Sequence, residues 1–261
     1  MTIRNSTDLP SPDRHEPGAA DATERRPAAG GLPGTRAVPA APLLWPPTFD
    51  GAIFDFDGTI AFSSGIWEQV DREFLGERGL RYTPQFAAEL SVLGFAEGSR
   101  YVVDHYHLDE DPDAICAEWN RIGARLYGER VTLRQGARAY IEALRSRGVR
   151  VALATTNDAN VIDAMKPRVD ADELFDARVH GAEVARSKNH PDIYLEAARR
   201  IGVRPRDCIV FEDIVPGLRA AMSTGMTGCA VRSDGRTQKV DALRSVADLW
   251  LDRWTDIDLH P

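Results

Sequence analysis

Gly51-Ala52-Ile53-Phe54-Asp55-Phe56-Asp57-Gly58-Thr59-Ile60 decides how the rest of this chain is read. Small and apolar residues lead into Asp55, and Gly58 breaks the run directly after Asp57. This predicts a buried parallel strand whose C-terminal end carries two carboxylates. Side chains alternate along a strand, so Asp55 and Asp57 share a face if the chain stays extended. Gly58 permits a sharp turn immediately afterwards. Ligands of open α/β sheets bind at the carboxyl ends of strands, which makes this a place for chemistry. An Asp-x-Asp-Gly is equally compatible with a strand end bearing two solvated acids, because Asp and Gly are ordinary turn residues. The remainder of the chain separates the two readings.

The sequence has 261 residues, 43% hydrophobic and 28% charged, as expected of a globular protein. Its beginning is different. Nine of the 16 prolines lie at or before Pro47, amid repeated Ala and Gly, and Trp45 is the only aromatic residue before Phe49. Such a segment has too little apolar surface to offset its ordering entropy, so 1–48 is expected to be a disordered tail. Its arginines and acids balance, which leaves the formal net charge of -8 on the remainder. That argues against a nucleic-acid or anionic-membrane partner. The tail lacks the apolar run of a secretory signal and is not poor in acids as a transit peptide is. No stretch has the length and apolarity of a membrane span. Cys116, Cys208 and Cys229 form no CxxC pair and are read as reduced thiols, so a cytoplasmic location is expected.

After the opening strand, Ser63 or Ser64 is placed to cap a helix reaching about Gly79, with Ile66, Val70 and Phe74 on one stripe. A second helix is expected within 85–106, interrupted near Gly94 and Gly98. A third starts at Asp111 as N-cap with Pro112 in the first position. Its apolar positions are Ile115, Trp119, Ile122 and Leu126. The pattern then alternates. Helices are expected over 136–147, 158–166, 192–201 and from Pro216-Gly217 to Met222. Strands are expected at 149–154, near 178–180, at 208–211 and at 228–231. Strands alternating with helices specify a doubly wound parallel sheet with right-handed crossovers. The predicted fold is α/β, a Rossmann-like core formed by 49–63 and 131–261, with 64–130 inserted as a helical cap.

Four groups fall at strand ends or just beyond: Asp55/Asp57, Thr155, Lys188 and Glu212/Asp213. Here the sequence resembles the haloacid dehalogenase-like superfamily of phosphohydrolases, over roughly residues 50–260, and within it the subgroup of β-phosphoglucomutase and phosphoglycolate phosphatase. The matching segments are Asp55-Phe56-Asp57-Gly58-Thr59-Ile60, the strand ending in Thr155, Lys188-Asn189-His190-Pro191-Asp192-Ile193-Tyr194, and Glu212-Asp213-Ile214 with Gly217. Any one is weak; four in order are strong. The resemblance implies Asp55 as nucleophile, forming an aspartyl phosphate, and Asp57 as general acid and then base. It implies Mg²⁺ held by the Asp55 carboxylate, the Asp57 main-chain oxygen and the Asp213 carboxylate, with Glu212 acting through water. A hard cation suits these oxygen ligands and screens two anionic reactants. Thr155, Thr156 and Asn157 are then donors to phosphoryl oxygens, and Lys188 supplies positive charge there. The expected substrate is a small phosphorylated metabolite.

The sequence also departs from the family pattern. Asn189 stands where a proline is usual. Trp67 takes the place of the cap histidine of β-phosphoglucomutases. Gly94-Phe95-Ala96-Glu97 puts an acid where those enzymes carry a phosphate-gripping arginine. An acid there repels a second phosphate. Trp67, Arg100, Tyr101 and His105 are candidates to line the cap side of the site, with ordinary helix packing the favoured reading for each. The expectation is a phosphatase, set against two alternatives: a sugar phosphomutase, and a catalytically inactive binding module. The filled motif positions disfavour the second.

Overall fold

The computed structural model describes residues 44–260, apart from 91, 92, 94, 234, 236 and 237. The elements run β1 (Gly51–Phe54), β2 (Ala61–Phe62), α1 (Ile66–Glu77), α2 (Pro84–Leu90), α3 (Phe95–Tyr106), α4 (Pro112–Arg130), β3 (Thr132–Leu133), α5 (Ala137–Ser146), β4 (Arg150–Thr155), α6 (Ala159–Asp163), α7 (Ala171–Leu174), β5 (Ala177–His180), α8 (Asp192–Ile201), β6 (Cys208–Glu212), α9 (Val215–Met222), β7 (Thr227–Val231), α10 (Val240–Val246) and β8 (Leu249–Leu251).

Six strands form one parallel sheet in the order β5-β4-β1-β6-β7-β8. This is the doubly wound α/β arrangement anticipated from the sequence. From β1 the chain moves outward through β4 and β5, then returns to β6 on the other side of β1. The reversal puts the crevice of an open α/β sheet over the carboxyl ends of β1 and β6. β1 is buried along its whole length, which is why it reads as a continuous apolar run rather than an alternating one. Its Phe54 stacks on Phe211 of β6 with ring centroids 4.8 Å apart. Tyr140 of α5 and Trp254 close that cluster.

Four helices, α1 to α4, stand between β2 and β3, and these two short strands pair antiparallel. The chain therefore leaves for the helices and returns from them along one narrow ribbon. Within this block Phe95 meets Trp67 edge-on at 5.2 Å and Trp119 at 6.0 Å. The Asp111 cap forms as expected, accepting the Asp113 N–H at 3.0 Å. The start of α1 is different. Gly65 is its N-cap, with φ of 80°, and neither serine side chain caps it. Gly94, expected to interrupt the second helix, lies outside the described residues.

Residues 44 and 45, inside the segment read as tail from composition, touch the core. Leu44 is fully buried, its carbonyl accepts the Tyr140 hydroxyl at 3.1 Å, and the Arg147 guanidinium lies 4.7 Å from the Trp45 ring centroid. A chain lacking Leu44 therefore loses a core side chain. Leu44→Ala is expected to destabilise the fold by about 2–5 kcal/mol, the range for a buried leucine truncated where the site cannot collapse. Denaturant unfolding measures it; a loss near zero contradicts the docking of Leu44.

Candidate active site

Parallel strands β1 and β6 bring Asp55 beside Glu212 and Asp213, because the Asp55 N–H donates to the Phe211 carbonyl at 3.0 Å. The turn after Asp57 is tight: both the Ile60 and the Ala61 N–H reach the Phe56 carbonyl at 3.0 Å. Gly58 has φ of 74°, and a Cβ there would collide with the Asp213 carboxylate. Glycine is therefore required twice over, by conformation and by space. Arg134, just past β3, donates to the Gly58 carbonyl at 2.7 Å, and Trp254 Nε1 donates to the Thr59 carbonyl at 2.9 Å. The turn is thus braced by residues outside every motif.

Lys188 comes from the loop between β5 and α8 and is buried with its partners. Its Nζ hydrogen-bonds to Asp55 Oδ1 and, at 2.8 Å, to Glu212 Oε1. Burial alone disfavours the ammonium, but Asp55 and Glu212 outweigh it and hold Lys188 protonated, above the usual lysine range. Glu212 is hydrogen-bonded at both oxygens. Oε1 also takes the Tyr194 hydroxyl at 2.8 Å, and Oε2 takes the Asp213 and Ile214 N–H groups at 2.8 and 3.1 Å. Its carboxylate accordingly orients Lys188 and shapes the turn after β6. A Cβ at Gly217 would lie 2.6 Å from Glu212 Oε1, so α9 approaches this carboxylate only because that position is glycine.

Asp213 does not cap α9; the N-cap is Ile214, with no side-chain bond. The Asp213 carboxylate instead packs against Gly58, where the Ser233 Oγ also lies. Carboxylate oxygens of Asp55, Glu212 and Asp213 lie within 4.8 Å of one another. Burial, then Lys188 opposing it and Glu212 adding to it, leaves Asp55 with its pKa raised to about 7. Burial followed by repulsion from Asp55 and Glu212 pushes Asp213 well above the carboxylate range. Asp55 Oδ2 is buried and has no hydrogen-bond partner among the described residues. An orphaned carboxylate oxygen beside a second repelled carboxylate is the donor set that a hard divalent cation satisfies. The donor chemistry of Asp55, Glu212 and Asp213 fits a hard divalent cation such as Mg²⁺.

Asp57 lies beyond this group on the side of the helical block. Tyr127, in the last turn of α4, donates its hydroxyl to Asp57 Oδ1, and Asn157 Nδ2 donates to Oδ2 at 2.7 Å. Asn157 was expected among the phosphoryl donors; its amide is instead committed to Asp57 and, at 3.0 Å, to Tyr127. Thr155 ends β4 buried, and its Oγ1 accepts the Asn157 N–H at 3.1 Å. Thr156 is exposed and stands outside the buried group. Trp67 is half-buried, packed on Gly123 and bonded through Nε1 to the Tyr127 hydroxyl at 3.2 Å. Glu97 and Arg100 are exposed on α3, and Tyr101 and His105 hydrogen-bond to one another at 3.1 Å.

The haloacid dehalogenase-like hydrolase family matches residues 49–225. The chain belongs to this family, and it is an enzyme of the hydrolase class. Among the proteins similar to it are two curated relatives and one solved structure. The bifunctional riboflavin kinase/FMN phosphatase of Arabidopsis thaliana is 28% identical over 208 residues, covering 77% of this chain. This chain spans about half of that relative, 55% of its length. The fructose-1-phosphate phosphatase YqaB of Escherichia coli (strain K12) is 30% identical over 186 residues, covering 70% of this chain and 97% of the relative. CbbY from Rhodobacter sphaeroides, solved in complex with phosphate, superposes with a TM-score of 0.69 at 26% identity, covering 80% of this chain and 96% of that one. No helix among the described residues is long and apolar enough to cross a membrane.

Proposed function

We propose that this chain is a Mg²⁺-dependent phosphatase that hydrolyses a small phosphorylated metabolite through a phosphoryl group carried on Asp55. The observation that carries this is Asp55 itself: a strand-end carboxylate with one oxygen on Lys188 and the other buried without a partner among the described residues. Bound at Asp55 and Asp213, the cation would screen the nucleophile from the anionic phosphoryl group.

The protein's own groups then divide the work. Asp55 attacks phosphorus, and the bond to the leaving oxygen breaks. Asp57, two residues on, delivers a proton to that oxygen and takes one from the water that hydrolyses the acyl phosphate. Lys188 stays charged beside Asp55 and offsets negative charge on the transferring group. The Thr155 oxygen accepts the Asn157 N–H, which leaves its single O–H proton to donate to a phosphoryl oxygen. Helices α1 to α4 serve as a cap over the strand ends, and relatives named as phosphatases of phosphorylated small molecules support that substrate class.

The mutase alternative calls for cationic side chains on the cap to grip a second phosphate. The position in question is Glu97, and the histidine position is Trp67, which binds Tyr127 rather than solvent. Purified protein with Mg²⁺ is expected to release phosphate from aryl and small metabolite phosphates, and to stop when the metal is chelated. In parallel, a coupled glucose 6-phosphate assay is expected to detect no isomerisation of β-glucose 1-phosphate, with or without the bisphosphate primer. Isomerisation faster than phosphate release would replace this reading with the mutase one.

A further inference from the structure

The buried hydroxyl of Tyr127 has its full complement of partners. It accepts from Trp67 Nε1 at 3.2 Å and from Asn157 Nδ2 at 3.0 Å, and it donates to Asp57 Oδ1. A phenol has one proton and two lone pairs. Indole and amide N–H groups cannot accept, so with both lone pairs engaged the only acceptor left for the phenol proton is Asp57. Reversing the Asn157 amide would set its carbonyl oxygen against the Asp57 carboxylate, so its orientation is fixed as well. The phenol is anchored from behind: Arg168 Nη2 donates to the Tyr127 and Val131 carbonyls, both at 2.8 Å, and the Phe56 ring stacks on the Tyr127 ring at 6.3 Å.

Asp57 is therefore held at both oxygens by donors from different parts of the chain. Asn157 follows β4 of the sheet, whereas Tyr127 belongs to the inserted helices, and Trp67 of α1 locks it from a third direction. A carboxylate restrained at one oxygen only can swing about χ1 and χ2; a donor at each oxygen leaves one orientation. We propose that Tyr127 is a positioning residue for Asp57: the helical insertion supplies the hydroxyl that aims the leaving-group acid, and Trp67 directs that hydroxyl. This rests on the reading of Asp57 as the acid of a phosphatase.

The role has a signature that packing alone does not produce. Protonation matters greatly when the departing oxygen is a basic alkoxide and little when it is a stable phenolate. kcat/KM reports the step in which the leaving group departs. Tyr127→Phe removes one hydroxyl and keeps the ring. It is expected to lower kcat/KM for β-glycerol phosphate roughly 10- to 100-fold, the scale of one hydrogen bond to a charged group, and for p-nitrophenyl phosphate by no more than about threefold. Asp57→Asn is expected to show the same preference for hurting the alkyl ester. Tyr127→Phe added to it has no further effect on that ester, because the two residues act as one unit.

Trp67→Phe frees one lone pair of the hydroxyl and gives the same selectivity more weakly. It carries the test if Tyr127→Phe does not fold. Equal losses on the two esters, or no loss on either, in the folded variant overturn the positioning role while leaving the phosphatase reading standing. Wild-type protein that hydrolyses neither ester with Mg²⁺ overturns the phosphatase reading, and this proposal falls with it.

Discussion

Asp55→Asn protein is expected to release phosphate at least about 10⁴-fold more slowly than wild type, the scale on which covalent catalysts fail when the nucleophile is removed. The amide has nearly the volume of the carboxylate, so the end of β1 keeps its shape. Lys188 retains Glu212 Oε1 at 2.8 Å and is not left as an unpaired buried charge. What is lost is chemical: an amide oxygen cannot form the acyl phosphate. Circular dichroism unchanged from wild type, together with the absence of turnover, is the predicted pair of results. Phosphate release near the wild-type rate by folded Asp55→Asn protein would remove Asp55 from the nucleophile's role.

Asp57→Asn is expected to act differently. Removing general acid–base help costs about 10² to 10⁴ in rate. The metal is expected to bind nearly as before, since on the proposed reading Asp57 would contribute its main-chain oxygen and not its carboxylate. The surroundings add a stability effect. Tyr127 and Asn157 both donate to Asp57. An asparagine at 57 offers one acceptor and turns an NH₂ toward the other donor, which costs about 1–3 kcal/mol where water cannot intervene. Single-turnover kinetics, metal titration and thermal unfolding of one preparation measure all three. An unchanged rate, or lost metal binding in folded protein, contradicts the assignment.

The order in which the sequence can be read follows from what each residue does for the fold. Asp55, Glu212 and Asp213 are legible because they end apolar strands or directly follow them, where a buried charge needs a reason, whereas Lys188, in the loop after β5, is legible through the family resemblance. The sequence separation of 133 between Asp55 and Lys188 does not obscure their pairing, because parallel strand order returns the chain to the same edge. Tyr127 is not legible in that way. It follows Ile115, Trp119, Ile122 and Leu126 on a buried helical face, where its ring is one more core side chain. Its hydroxyl acquires a function only through what the sheet presents to it. Asn157 was legible as a site residue but not as a partner of Asp57, because a side-chain amide serves a phosphate or a carboxylate equally well. Leu44 was hidden by its neighbours: composition averages over a window, and one apolar residue among prolines is enough to dock on Tyr140.

β8 escaped because Leu249–Leu251 is three residues long, too short to show a period. Gly65 replaced the serines as the cap of α1 because the chain enters the helix from a left-handed turn, which glycine adopts without strain. In each case the local signal was present but tertiary contacts chose among residues of similar propensity.

The central claim is that phosphorus is bonded to Asp55 during turnover. Rapid acid quench of wild-type protein mixed with Mg²⁺ and a phosphate ester, followed by peptide mass spectrometry, tests it directly. The predicted result is a phosphoryl group on the peptide containing Asp55, stable to acid, released by hydroxylamine, and absent from Asp55→Asn protein. A phosphoryl group on any other residue, or turnover with no protein-bound phosphoryl group under conditions that slow hydrolysis of the intermediate, would contradict it.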